Sequence, residues 1–284
     1  MIPAKFDYHK ANTVDEALSM LKEHGMDAKL LAGGHSLLPA MKLRLNMPGV
    51  LIDIARIPEL RFIKEEGDEI VIGAASTHHD IARSELLHDH IPMMNEAAEL
   101  IGDVQVRNMG TLGGSIAHAD PAADWPALLL AAEAKIVVKG PDGGRTIDAS
   151  DFFTGFYMTA LEPEEIITEI RLPAPPPNTG TSYQKFMQPA SRFAIVGCAA
   201  MDTKKGGECD RVRVAFAGVS DTPFRDTAVE AALQGQKPKE ENISAAAEKA
   251  AADVDIMSDH FASEEYRKHL ARVYAKRALM AAAG

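Results

Sequence analysis

Two stretches decide how this chain is read: Leu31-Ala32-Gly33-Gly34-His35-Ser36-Leu37-Leu38-Pro39 and Met109-Gly110-Thr111-Leu112-Gly113-Gly114-Ser115-Ile116-Ala117-His118. Each follows an apolar stretch and carries backbone amides that no bulky side chain covers. A glycine pair lets the main chain approach a ligand closely and take φ > 0. Neither stretch has the G-x-G-x-x-G of a Rossmann turn or the G-x-x-x-x-G-K-[ST] of a P-loop. Two such loops meeting in space would clamp the two phosphates of a dinucleotide between neutral N–H groups.

Around these loops the sequence alternates helix and strand signals. Thr13 and Glu16 read as a capping box, with Glu16 reaching back to Thr13, and Val14, Leu18 and Leu21 share one face of the helix that follows. Lys29–Ala32 and Val50–Ile54 read as strands and Leu37–Leu45 as a helix, giving a compact α/β unit. Arg61–Lys64 and Glu69–Gly73 form a hairpin, Thr77 to Asp80 a second capping box, and Met93–Ile101 and Pro126–Ala134 helices. Lys135–Val138 pairs with Arg145–Ile147, and Glu164–Leu172 is a further strand. Pro173-Ala174-Pro175-Pro176-Pro177 then makes a stiff connector, because proline cannot enter a helix interior or a central strand. Beyond it, Ser182–Met187, Ala194–Ala200 and Val212–Val219 read as strands and Ser263–Ala283 as a helix capped by Ser263. Boundaries therefore fall between residues 57 and 58 and between 174 and 175.

Composition narrows the function. The 284 residues carry a net charge of −11, and lysine and arginine are scattered rather than striped, which argues against nucleic acid. Cys198 and Cys209 fit no zinc or iron–sulfur spacing and read as thiols of a reducing compartment. Met1–Asp7 lacks the apolar core of a signal peptide, and Pro126–Ala132 is far shorter than a membrane span. The expectation is a cytoplasmic protein, with attachment to a membrane through a partner left open.

With their neighbours, Leu31–Pro39 and Val106–Asp124 resemble the FAD-binding medium subunit of the molybdenum hydroxylases, the xanthine dehydrogenase family, and within it the aerobic carbon monoxide dehydrogenase branch. The resemblance runs through the connector to the C-terminal region. It implies an α+β fold: a two-part FAD-binding region of the vanillyl-alcohol-oxidase (PCMH-like) type, residues 1–57 and 58–174, followed by a C-terminal α/β domain, 175–284, with a small antiparallel sheet and helices. It also implies an oxidoreductase complex. A molybdopterin-containing large subunit oxidises substrate, a small subunit carries two [2Fe–2S] clusters, and this subunit passes electrons through FAD to quinone, NAD or oxygen. The absence of a ferredoxin-like cysteine set agrees with that division.

The resemblance assigns Ala32, Gly33, Gly34, His35 and Ser36, with Thr111, Gly114 and Ser115, to the FAD pyrophosphate. It places Asp124 near the adenosine, where a carboxylate accepts from ribose hydroxyls; the same residue also suits a helix cap. His118 and Asp120 join it in hydrogen bonding there, although with Asp124 they also make a tempting metal trio. Ile101 and Gly102 match a flavin-contacting segment, but Ile101 cannot stack as an aromatic does; Asp103 and Gln105 follow. Leu161 matches a backbone contact to the cofactor, and Phe193 packs near the ring. Lys185 is placed near the flavin, where a cation would stabilise the charge of reduction, against the ordinary fate of a solvated strand lysine. His78-His79 reads as a solvated helix start and the acidic run Glu162–Glu169 as surface.

Two other functions compete: a stand-alone FAD-dependent oxidase or dehydrogenase, for which no compelling His or Tyr arrangement exists, and a cofactor-free interaction module, against which the intact glycine pairs argue. Gly34→Val is expected to crowd the phosphate while leaving the fold intact.

Overall fold

In the computed structural model, which describes residues 2–284, the chain opens with three parallel strands, β1 (Asp7–Lys10), β2 (Ala28–Leu31) and β3 (Val50–Asp53), in the order β1-β3-β2. Parallel neighbours need crossovers, and α1 (Val14–His24) and α2 (Leu37–Lys42) lie within them. Val14, Ala17 and Leu21 of α1 bury against Val50 and Ile52. Thr13 caps α1 by accepting the Glu16 N–H at 3.1 Å, but the Glu16 carboxylate takes the Asn12 N–H at 2.7 Å, so the box closes one residue earlier than expected. α2 stops at Lys42, ahead of the predicted Leu45, because Arg44 turns to a φ of 59°.

The middle of the chain builds a five-stranded antiparallel sheet. Its first strands are β4 (Ile63–Glu66) and β5 (Glu69–Gly73), and β4 begins later than the predicted Arg61, whose N–H closes a tight turn back to Pro58. A run of short helices follows: α3 (His78–Ala82), α4 (Glu85–His90), α5 (Met93–Leu100), α6 (Val104–Met109), α7 (Leu112–His118) and α8 (Trp125–Ala131). Next come β6 (Lys135–Gly140), β7 (Gly143–Asp148), α9 (Ala149–Phe152), the small pair β8 (Phe153–Gly155) and β9 (Met158–Thr159), and β10 (Ile166–Pro173). The sheet order is β4-β5-β10-β6-β7. Alternate residues Ile70, Ile72, Ile136, Val138, Ile170 and Leu172 form one core with Leu128 and Leu129. Every residue of α8 is buried, as its all-round apolar sequence requires.

After the prolines, β11 (Thr179–Met187), β12 (Ala194–Lys205), β13 (Glu208–Ala217) and β14 (Phe224–Arg225) form a four-stranded antiparallel sheet in chain order, with α10 (Thr227–Leu233), α11 (Glu240–Ala247) and α12 (Glu264–Ala283). Ser263 caps α12 through the Tyr266 N–H. β12 is buried along most of its length and serves two cores. Val196, Cys198 and Ala200 pack with α12, while Ala199 and Met201, with Tyr183, join the core that holds α8. That second face carries β11 up to the start of α8, where Asp124 stands. The chain is thus α+β, and among the described residues no helix is long and apolar enough to cross a membrane.

Candidate functional site

Where β2 ends, the backbone runs out of sheet partners. The N–H groups of Ala32, Gly33, Gly34, His35 and Ser36 donate to no acceptor among the described residues, and all five residues line a cavity of about 570 Å³. Gly34 takes a φ of 74°. Successive N–H groups in such a turn form a concave nest suited to an anion. No carboxylate stands in the stretch, so its five free donors meet no negative charge from within it.

The second stretch is built differently. It is not a loop: Thr111 caps α7, and Gly113 and Gly114 lie in its first turn. Their amides are committed. The Leu112 N–H donates to Ser76 O at 3.0 Å, Gly113 to Ala74 O at 2.8 Å, Gly114 to Thr111 Oγ1 at 3.1 Å and Ser115 to Thr111 O at 3.0 Å. Of the amides expected to hold a phosphate, those of Gly114 and Ser115 are therefore spent. The Thr111 N–H, the hydroxyls of Thr111 and Ser115 and the Gly114 backbone are what this stretch brings to the cavity.

The two stretches do meet. A Cβ on Gly33 would fall 2.1 Å from the Met109 carbonyl oxygen and 2.7 Å from Gly110 Cα; one on Gly114 would lie 3.7 Å from Ala32 Cβ. A Cβ on Gly113 would strike Ala74 at 2.6 Å. Gly33 thus lets loop touch loop, and Gly113 seats α7 on the end of the sheet. The lining is partly apolar, with a few convergent polar groups, as small-molecule sites are.

Residues 4–175 match the FAD binding domain in molybdopterin dehydrogenase, and residues 181–282 match the CO dehydrogenase flavoprotein C-terminal domain. The chain belongs to the FAD-binding medium subunits of the molybdenum hydroxylases. It is 45% identical to the carbon monoxide dehydrogenase medium chain of Hydrogenophaga pseudoflava over 99% of this chain and 98% of that one. It is 39% identical to the corresponding chain of Afipia carboxidovorans over 98% and 97%. A solved carbon monoxide dehydrogenase from Hydrogenophaga pseudoflava, lacking the Mo-pyranopterin moiety of its cofactor, superimposes with a TM-score of 0.96 at 48% identity, covering 99% of this chain and 98% of that one. FAD is the cofactor of this family, and the chain is an oxidoreductase subunit.

Seen as part of a flavoprotein subunit, the expected site residues gather well. Ile101, Gly102, His118, Asp124, Leu161 and Phe193 line the same cavity as the two glycine stretches. Lys185 does not. Its side chain is completely buried behind Asp124, with Nζ 2.9 Å from Asp124 Oδ2 and 3.4 Å from the Leu100 carbonyl. Asp124 makes no helix-capping bond; its other oxygen accepts from the Tyr183 hydroxyl at 2.5 Å. Burial pushes the Asp124 carboxyl above its ordinary range, against the pull of Lys185 and Tyr183, and the Tyr183 hydroxyl is driven up by burial and by that carboxylate. Tyr183 and Lys185 are two apart on β11, hence on one face.

His118 packs against the Tyr157 ring at 5.1 Å, and the Tyr157 hydroxyl donates to Asp120 at 3.0 Å. Asp103 caps α6 rather than reaching the cavity, and Val106 of that helix is the wall residue. Gly34→Val is not neutral to the fold as expected, because a side chain there must hold a left-handed φ and its β-carbon would meet Leu38 Cδ1 at 2.9 Å.

Sequence reasoning missed four wall residues. His78 is 5% exposed instead of solvated. Its Nδ1 accepts from the Trp125 indole at 3.1 Å, and burial, with the charges of His35 and Arg107, lowers its pKa to about 4. Glu165 faces the cavity from the supposed surface run, held by Arg145 at 2.7 Å, whose hydrogen bond keeps its carboxyl low. Glu162 lines the same wall. Arg192, beside Phe193, is the fourth. The one available signal was the Thr77–Asp80 box, which fixes where His78 starts its helix but not what covers it.

Proposed function

We propose that this subunit relays electrons from two [2Fe–2S] clusters on a small partner subunit, through FAD held in the cavity, to an external acceptor (quinone, NAD or oxygen), within a complex whose molybdopterin-containing large subunit oxidises the substrate. The pattern favours a carbon monoxide dehydrogenase-like complex working in the cytoplasm. The same reading divides the chain at 57/58 and 174/175, with FAD between the first two parts.

One observation carries it: five consecutive unpaired N–H groups at Ala32–Ser36 lie against a second stretch that adds the hydroxyls of Thr111 and Ser115. That donor set fits a diphosphate, since it is dense, neutral and free of competing carboxylates. FAD, when bound, supplies the exchange between one-electron and two-electron carriers. The chain's own residues bind and shape. The amide nest fixes the diphosphate, and His35 and Ser36 flank it. Ile101, Gly102, Leu161 and Phe193 give the apolar wall for the ring, and His118 and Asp124 the polar wall for the sugar. Asp124 accepts there with the lone pairs that Tyr183 and Lys185 leave. No side chain of the wall is required as a general base.

The full chain, incubated with FAD and desalted, should keep about one FAD per chain and turn yellow, as one tight site requires. A chain that stays colourless and gives no calorimetric heat with FAD would end the proposal.

A further inference from the structure

We infer that Arg192, and not Lys185, supplies the positive charge that steadies the flavin when it takes up electrons; the inference rests on FAD occupying the cavity as proposed above. Lys185 is spent. Its amine is fully enclosed 2.9 Å from Asp124, so one cation is matched by one carboxylate, and it forms no part of the cavity wall. From the cavity that pair acts as a near-neutral unit, because opposite charges so close cancel over longer distances.

Arg192 differs on each count. It lines the cavity, and its Nε is shielded from solvent with no hydrogen-bond partner. Its guanidinium forms no salt bridge among the described residues. Of the wall carboxylates, Asp124 bonds Lys185 and Tyr183 and also feels the charge of Arg192, Asp120 bonds Tyr157, and Glu165 bonds Arg145; Glu162 makes no ion pair with Arg192. The backbone of Arg192 is held at a φ of 62°, a left-handed conformation that arginine adopts only when its surroundings impose it. Those surroundings are explicit. The Arg192 N–H donates to the Gln188 carbonyl at 2.9 Å, the Gln188 N–H donates to the Phe193 carbonyl at 2.9 Å, and the Ala194 N–H ties the turn to Ala122 at 3.1 Å. Lys185 and Arg192 thus set two cations against the single Asp124 carboxylate, and the one without an ion-pair contact, half-buried and fixed in a strained turn, is arranged for a further anion.

The amide nest already serves the diphosphate. The remaining anion is the one made by reduction. When reduced iron–sulfur clusters deliver two electrons and solvent delivers one proton, the neutral ring gains one net negative charge. A fixed guanidinium at the wall lowers the energy of that state more than that of the oxidised one, and so raises the potential.

The test uses the full chain reconstituted with FAD. Bound FAD is counted by absorbance, its dissociation constant is measured by fluorescence, and its midpoint potential is measured against redox dyes. Arg192→Met should retain FAD with less than a tenfold change in affinity. Its reduced-to-oxidised ratio at fixed potential should fall at least about tenfold, which is about 30 mV for a two-electron couple. Arg192→Lys should restore most of the shift. Lys185→Met, which leaves every residue of the cavity wall in place, should shift the potential less than Arg192→Met does. A wild-type potential in FAD-loaded Arg192→Met, or a shift in Lys185→Met larger than that of Arg192→Met, overturns the inference. So does a folded Arg192→Met that no longer binds FAD, for Arg192 would then serve binding alone. Failure of the wild-type chain itself to bind FAD would instead overturn the reading beneath it.

Discussion

The two Gly-Gly stretches look interchangeable as sequence and do different work in the structure. At Gly33-Gly34 the backbone has left β2 and entered no helix, so its amides stay free, on residues that line the cavity. At Gly113-Gly114 the backbone has already entered α7, so its amides are consumed by Ala74 and Thr111. Small size serves exposure in the first case and close packing in the second. A glycine pair therefore reports that something must come near, and only the neighbouring hydrogen bonds say whether that something is a ligand or the protein.

The strongest way to break this contrast is Gly33→Ala. The added methyl would sit 2.1 Å from the Met109 carbonyl and 2.7 Å from Gly110 Cα, both backbone atoms that cannot swing aside. Forcing the two stretches apart should cost more than about 3 kcal/mol, the upper end of overpacking effects. FAD retention should be lost with it. Denaturant unfolding and flavin absorbance of the desalted variant check both. Near-wild-type stability with bound flavin would show that the stretches need not touch.

A pH experiment probes the second stretch through His78, whose backbone N–H donates to Gly110 O at 2.9 Å and whose ring lies against Gly110, just before Thr111. Folded, burial holds the imidazole down to about 4, from an ordinary value of 6.5. Between those values the unfolded chain binds a proton that the folded chain refuses. The contribution is therefore intact above 6.5 and declines as pH falls toward 4, by up to about 3 kcal/mol. His78→Gln should flatten that decline, measured as urea unfolding free energies at several pH values. Equal slopes in wild type and variant would mean that the second stretch is not pinned through a neutral His78.

The contrast also marks what the sequence makes legible. Thr13, Thr77 and Ser263 caps, the strand at Val50–Asp53, the hairpins and the wholly apolar α8 are local, and periodicity with cap chemistry finds them. So is the amide nest, which depends on contiguous residues. What escapes is set by residues far apart in the chain. Lys185 meets Asp124 across 61 positions, and His78 meets Trp125 across 47. Lysine on a strand gives no hint that a buried carboxylate will claim it. The assignment of Gly113-Gly114 to a loop fails for a related reason. Glycine opposes helix, but Thr111 as cap and the contact with Ala74 outweigh a propensity penalty of about 1 kcal/mol per glycine.

Gly34→Ala sharpens the first stretch alone. Its left-handed φ of 74° costs a β-carbon roughly 1–2 kcal/mol. The clash at 2.9 Å is with the far end of the Leu38 side chain, which can rotate. The five amides survive. The variant should thus lose stability within that range and bind FAD more weakly without losing it. Complete loss of FAD with retained fold would mean that the nest tolerates no relaxation at all.

The smallest effects discriminate best. Thr111 Oγ1 caps α7 by accepting the Gly114 N–H at 3.1 Å, whereas the Ser36 side chain makes no capping bond to α2. Thr111→Val should therefore cost about 1 kcal/mol of stability, the usual value of a lost cap. Ser36→Ala should cost almost none. In FAD affinity the order should reverse: losing a hydroxyl that donates to a charged phosphate is worth about 1.5 kcal/mol, or roughly tenfold, and Ser36 stands inside the nest. Thr111 adds its hydroxyl from the wall, where the cap already orients it, and its removal should weaken FAD less than Ser36→Ala does. Unfolding curves and flavin titrations on the two variants yield four numbers. If affinity falls more for Thr111→Val, the second stretch is the true cradle and the division of labour drawn here is inverted.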